Sequence, residues 1–371
     1  MRPALATGLL GLAQIAAALL FDAEPLWVPG VALIFIAAGS VAWVAIASRG
    51  VVVRRTLGAT RVIEGEPLSI VLDVRAGVLA LPTAQLHDPL LDRPASLRAG
   101  RRGARVRIEA SFSRRGRRVL TPPSVRIADP LGLASREVLA RPSARDDEIL
   151  VLPRVEPVAG AGGGADAARV AGVMRTLVGA EVELDGIRPL RDGTPASRIY
   201  WPAVARGADP QERRLRIESE SRPLVVLDPR GAGGEDDLDA AVRAAASFAH
   251  ALAKAGGCDV LLPGDRRPTE LGRSLAGWPQ IHARLALVGS AGVVSLASAA
   301  RRPGPVVFVS ARRRAELPAA LRGTHVAPRV LVVPGALSER AASFAVAGCT
   351  GYAIGARRSR PLRPAPVRGS A

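Results

Sequence analysis

Two uncharged apolar runs, Pro3–Phe21 and Pro25–Ser48, separated by a short loop that carries Asp22 and Glu24, constrain this chain more than any other feature. An α-helix rises about 1.5 Å per residue, so runs of roughly 20 residues match a hydrocarbon layer of about 30 Å. A secretory signal peptide would show a strong basic segment before its apolar stretch, and no second span would follow directly. Two spans joined by a tight turn are therefore expected, with a buried soluble helical hairpin as the alternative. Arg2 precedes the first run, while Arg49, Arg54 and Arg55 follow the second, and the loop between them holds only acids. Basic residues favour the cytoplasmic side, so a multi-pass protein of the plasma membrane is expected, with both termini cytoplasmic.

The remaining composition qualifies this picture. Mean hydropathy is +0.19 and the formal net charge is +18. Lys254 is the only lysine, so the basicity is almost wholly arginine. Enrichment in Arg, Ala, Gly and Pro is what GC-rich coding gives, which discounts part of the charge signal. The remainder is a positive field suited to anionic lipid, nucleic acid or an acidic protein. Cys258 and Cys349 match no CxxC pattern and are expected to be free thiols in a reducing compartment.

The hairpin is assigned to residues 1–50, and a β-rich, membrane-proximal domain to residues 51–155. Leu68–Val74 and Ala104–Ala110 alternate as half-buried strands do, and Arg117–Leu120 and Val125–Ile127 are shorter candidates. This pattern suggests a small β-sandwich or barrel. The region Arg98–Arg118 is strongly basic and reads either as a face for anionic headgroups or as an ordinary solvated strand face. Residues 156–180 hold the glycine-rich stretch Ala159–Ala165, a linker with a helix candidate behind it. Its glycines do not have the offsets of a dinucleotide fingerprint.

Residues 181–355 read as a signature segment followed by an α/β domain. Leu224–Asp228 is a short apolar run of the kind that makes a buried central strand. Asp237–Ala255 places Leu238, Ala241, Val242, Ala245, Phe248, Ala249 and Leu252 at helical spacing. Further strands are expected at Asp259–Leu262, Val306–Val309 and Arg329–Val333, and helices around Trp278–Val288 and Arg314–Leu321. That alternation predicts a parallel sheet with covered faces. Residues 356–371, rich in arginine and proline and lacking acids, are expected to be a disordered tail.

Several chemistries lack their residues. A single lysine in the context AKAGG excludes a GxxxxGK[ST] loop, and with it a P-loop NTPase. His87, His250, His282 and His325 show no HExxH spacing and no adjacent cysteine pair, and there is no GxSxG elbow. The best place for a site is the end of Leu224–Asp228, because ligands of open α/β sheets bind beyond the carboxyl ends of strands. There Asp228 is followed by Glu235, Asp236, Asp237 and Asp239. These acids would repel an anion but suit the helix dipole. Alternatively, they would offer Asp228 as part of a divalent-metal set, as in a metal-dependent hydrolase.

The stretch Asp185–Arg206 is the most unusual in composition, with Tyr200 and Trp201 side by side among arginines. Gly186, Arg188, Gly193, Thr194, Ile199, Trp201, Ala205 and Arg206 fall on a pattern that resembles the signature of the bacterial membrane proteins grouped as domain of unknown function 58. Arg115-Gly116 and the turn Asp129-Pro-Leu-Gly-Leu133 resemble a second feature of that family. The resemblance implies a two-span transmembrane helical hairpin, a β-sandwich-like domain and an α/β von Willebrand A-like (Rossmann-type) domain. By association it also implies a MoxR-type AAA ATPase and a transglutaminase-like membrane protein as partners. Many von Willebrand A domains hold a metal through DxSxS, but here Arg230 and Ala232 stand where the serines belong, leaving Asp228 as a degenerate metal position.

No cofactor is expected, and a non-enzymatic membrane-anchored cytoplasmic scaffold or adaptor is the leading functional expectation. A nucleic-acid or anionic-lipid binder acting through Arg98–Arg118 is a further alternative. That run lacks the interleaved aromatics that stack on bases, so no specific nucleic acid is expected. The signature itself is expected to act as a clip, with Arg188 or Arg206 paired to Asp185 or Asp192 and Trp201 buried, or else as an exposed binding face.

Overall fold

The computed structural model describes residues 2–98, 100, 102–141, 147–158, 173–174, 177, 183–190, 199–207, 209–216, 222–302, 304–322 and 327–354. The chain divides into two compact units, Met1–Leu152 and Pro153–Ala371.

The first unit opens with helices α1 (Arg2–Phe21) and α2 (Trp27–Ala47), joined through a 3-10 turn at Glu24–Leu26. Both are long and apolar enough to cross a membrane. Their apolar side chains point outward, with Leu9 65% and Phe35 72% exposed, while small residues fill the seam between them. At the closest point a Cβ on Gly11 would lie 2.6 Å from the Gly30 carbonyl oxygen. Only glycine permits that approach, a common device where helices meet in lipid.

Ten strands follow: β1 (Val52–Leu57), β2 (Arg61–Ile63), β3 (Pro67–Arg75), β4 (Ala84–His87), β5 (Ala95–Leu97), β6 (Gly103–Ser111), β7 (Gly116–Val119), β8 (Ser124–Ala128), β9 (Ser135–Leu139) and β10 (Glu148–Leu152). They form three small sheets, ordered β1-β3-β6, β2-β10-β7 and β5-β4-β8-β9. Period-two alternation builds the core: in β3 the side chains of Leu68, Ile70, Leu72 and Val74 point inward and are buried. Leu72 and Val74 pack with Leu86, Val125 and Ile127, whereas Leu68 and Ile70 pack with Leu120, Ile149 and Val151. Arg55 lies buried in this unit. Its guanidinium pairs with Asp88 at 3.1 Å and with Asp147, and it donates to the carbonyl of Thr121. Several arginines of the basic run are also paired, Arg105 with Asp73 and Arg117 with Glu148.

The second unit holds β11 (Glu183–Pro189), α3 (Trp201–Val204), β12 (Gln211–Arg216), β13 (Leu224–Asp228), α4 (Glu235–Ala255), β14 (Cys258–Leu261), β15 (Thr269–Leu271), α5 (Trp278–Ala286), α6 (Leu296–Ala300), β16 (Val306–Ser310), β17 (Arg329–Pro334), β18 (Phe344–Val346) and β19 (Cys349–Ile354). Seven strands make one sheet in the order β15-β14-β13-β16-β17-β19-β18. The inner strands β14, β13, β16 and β17 run parallel, as the sequence predicts. The edges differ: β15 pairs antiparallel with β14, and β19 pairs antiparallel with both β17 and β18. The β18–β19 connection is the dipeptide Ala347-Gly348, with positive φ at both residues, the tight turn that reverses a hairpin. Apolar clusters cover both faces, one built on α4 with Val225, Leu227, Val307 and Val309, the other on Leu224, Val226, Phe308 and Leu331.

The helix expected at Arg314–Leu321 is only a 3-10 turn at Ala319–Leu321. Pro318 stands just before it and biases the preceding residue away from helical angles. The linker Ala159–Ala165 and the tail of residues 356–371 lie outside the described residues.

Candidate site at the carboxyl end of the central sheet

β13 is the first strand of its sheet. The chain leaves it through α4 to β14 on one side, and β16 later adds on the other. The sheet therefore changes direction between β13 and β16, the place where open α/β sheets form a ligand crevice. Asp228 and Ser310 end these two strands and face each other in register. All five residues of each strand are buried, so the aliphatic runs bring both polar groups to the rim without exposing strand backbone.

Asp228 is 4% exposed, and its carboxylate is already claimed. Arg230 donates from Nε to Oδ1 at 2.9 Å and from Nη2 to Oδ2 at 3.2 Å, a two-pronged pair. The Arg230 backbone N–H adds a longer bond to Oδ1 at 3.3 Å. The hydrogen bond to Asp228 and its charge raise the Arg230 guanidinium above its ordinary value. Ser310 is closed on its own turn, its hydroxyl donating to the Arg312 carbonyl at 3.0 Å and accepting the Arg312 N–H at 3.2 Å.

Three arginines follow β16. Arg312 lies along Gly231, Arg313 donates to the Ala336 carbonyl, and Arg314 sits over the Phe308 ring at 5.8 Å. Burial lowers the Arg314 guanidinium below its usual range, against the pull of Asp228. Glu235, Asp236 and Asp237 occupy the first turn of α4, whose N-cap Gly234 supplies no side-chain bond, so these acids offset the helix dipole.

A divalent cation needs carboxylate and hydroxyl oxygens free to converge on it. With both Asp228 oxygens on Arg230 and the Ser310 hydroxyl tied to Arg312, these residues do not fit the metal position of DxSxS domains. Among the described residues, no group of three or more His, Cys, Asp or Glu is arranged to hold a metal ion. Nor are the two cysteines prepared as nucleophiles. Burial pushes the Cys258 and Cys349 thiols up to about 12, and both cysteines are free. His282 bonds the Pro153 carbonyl at 2.7 Å and stacks on Trp278, which also meets the His250 ring, so both histidines serve packing. His325 lies outside the described residues.

The signature segment is a separate element. β11 and β12 form their own two-stranded antiparallel sheet, pairing Gly186 with Arg214 and Arg188 with Glu212. Gly193 and Thr194 lie outside the described residues, as do Asp192 and the side-chain placement of Asp185 and Arg188. Ile199 is half-buried, and Trp201 opens α3 with 57% of its surface exposed. Ala205 and Arg206 are exposed in the turn behind it, with the Ala205 N–H bonded to the Trp201 carbonyl. Trp201 is thus not buried, as the clip required.

The sequence placed Arg230 and Ala232 where the serines belong, but did not show the return of the Arg230 guanidinium onto Asp228. The legible signal was Ser310-Ala-Arg-Arg-Arg after one strand and Asp228-Pro-Arg after its neighbour. Comparison of the chain with family models and with curated proteins finds no match.

Proposed function

We propose that this chain is a membrane-anchored cytoplasmic scaffold or adaptor of the domain of unknown function 58 type. In this reading α1 and α2 span the plasma membrane, both termini are cytoplasmic, and the second unit is a von Willebrand A-like domain that engages a protein partner without a metal. The observation that carries the proposal is the Arg230–Asp228 fork at the sheet's switch point. The guanidinium occupies the carboxylate that a metal-dependent relative would keep open, and Arg312 and Arg314 stand beside the neutralised pair. The exposed Trp201 and Arg206 give a second surface of the residue types enriched at binding hot spots.

The family resemblance nominates a MoxR-type AAA ATPase as partner, with a transglutaminase-like membrane protein in the same assembly. Crosslinking in native membranes followed by purification in mild detergent tests this. Recovery of an AAA ATPase, weakened by Trp201→Ala or Arg312→Glu, is the expected result. Repeated crosslinking that never retrieves one would overturn the assignment of partner.

A further inference from the structure

We propose that the β-rich unit touches the bilayer with its own loops: Leu131 at the β8–β9 turn and Val78 after β3 enter the boundary between headgroups and acyl chains beside the two helices. The proposal rests on reading α1 and α2 as spans. Two sets of hydrogen bonds fix the height of these loops. In the first, the Ser40 hydroxyl of α2 donates to Asp129 Oδ2 at 3.0 Å, and the Ala4 N–H of α1 donates to the Leu133 carbonyl at 3.0 Å. Ser40 stands about two turns, roughly 10 Å, inside the end of α2 at Ala47. The turn is therefore held at a level the helices themselves share with lipid. In the second, the Val78 N–H donates to the carbonyl of Arg49, just past the end of α2, at 3.2 Å.

Both loops end in an aliphatic side chain with no protein to cover it, Leu131 being 66% and Val78 74% exposed. Irregular backbone is tolerated near the hydrocarbon only where the protein satisfies its polar groups. The β8–β9 turn meets that condition. Asp129 accepts the N–H groups of Leu131 at 3.1 Å and Ala134 at 2.6 Å, and Gly132 N–H bonds the Asp129 carbonyl at 3.0 Å. Asp129 is only 5% exposed, so the turn presents no bare charge.

Around the same end stand basic groups: Arg49 after α2, Arg75 closing β3, and Arg102, whose carbonyl accepts the Ala76 N–H at 2.9 Å. Asp73 lies 3.9 Å from Arg75 and is shared with Arg105. Aliphatic tips among arginines form an interfacial surface that favours anionic lipid.

The test uses the full chain reconstituted in vesicles containing anionic phospholipid, with a polarity-sensitive fluorophore on single introduced cysteines. Leu131→Cys and Val78→Cys are the probes. Phe35→Cys in α2 reports the span, and Glu66→Cys reports the far end of β3, about 30 Å away along the strand. Cys258 and Cys349 are buried and stay unlabelled in the folded chain. Lipids carrying a quencher on the acyl chain should quench the labels at residues 131 and 78 at least about twofold more than the label at residue 66. If the Phe35 position is quenched while positions 131 and 78 behave like 66, the proposal falls and the spans stand. If the Phe35 label also stays in water, both readings fall together.

Discussion

Asp228 and Arg230 stand two positions apart on one turn, and their pairing decides what the switch-point crevice offers. The carboxylate is nearly dry and the guanidinium about half exposed, with side-chain exposures of 6% and 49%. Removing the arginine strands a buried acceptor, the costly direction in which to break such a pair. Solvent screening of the exposed partner moderates the loss. Arg230→Ala is expected to destabilise the protein by about 1–2 kcal/mol, read as a lower melting temperature. Arg230→Lys should recover only part of it, since an ammonium cannot span both oxygens.

Asp129 gives a pH-dependent counterpart. Burial by itself raises its carboxyl, but bonds from the Ala134 N–H, the Ser40 hydroxyl and the Leu131 N–H outweigh that and hold it below the usual range. A depressed folded value means the charged form is favoured on folding. The stabilisation is present above the unfolded value of about 3.9 and disappears as pH falls through the folded value. The melting-temperature gap between the native chain and Asp129→Asn should therefore be constant at neutral pH and close in acid; a gap that persists at the acid end would refute a stabilising role for the Asp129 charge. Asp228 was legible in the sequence as an acid ending an apolar strand. The roles of Arg230 and Asp129 were not, because each depends on turn geometry that brings a side chain back onto its neighbours.

At the scale of elements, periodicity carried most of the information. The two apolar runs became α1 and α2, the alternating segments became β3 and β6, and the apolar stripe of Asp237–Ala255 became the long helix over the sheet. The edge strands of the second sheet were less readable. Their direction is fixed by short connections such as Ala347-Gly348 rather than by any hydrophobic period. The seam between α1 and α2 was also hidden among many small residues, although its geometry is demanding. A side chain at Gly11 meets the Gly30 carbonyl at 2.6 Å, and one at Gly30 meets Ile15 Cγ1 at 2.8 Å. Backbone cannot move aside as a flexible side chain can, so Gly11→Val must push the helices apart. That shift also strains the Ala4–Leu133 and Ser40–Asp129 bonds that tie the helices to the β8–β9 turn. The expected outcome is a fall in melting temperature in detergent together with faster protease cleavage near Leu131. Gly39, with nothing within 4 Å of its Cβ position, serves as the silent control for Gly39→Ala.

The whole molecule joins two helices long and apolar enough to cross a membrane with a unit whose sheet carries a core on both faces. Mean hydropathy reaches 2.0 and 2.3 in the helices but only +0.19 over the chain, so the apolar excess is concentrated at the amino end. The seven-stranded sheet closes its hydrogen bonding within Pro153–Ala371, and clusters drawn only from that unit cover both of its faces. A sheet with its own two-sided core meets the conditions for independent folding. Residues 153–371 expressed alone should therefore stay soluble without detergent and unfold in one cooperative transition, monitored by circular dichroism against denaturant. Aggregation relieved only by detergent, or a broad transition, would mean that the sheet draws essential packing from the amino-terminal unit. The arginines offer a second reading of the same fragment. With the spans gone, binding to anionic vesicles should fall sharply relative to the full chain if the helices and the loops beside them provide membrane contact. Binding that survives would place that contact on the arginines of residues 153–371 instead.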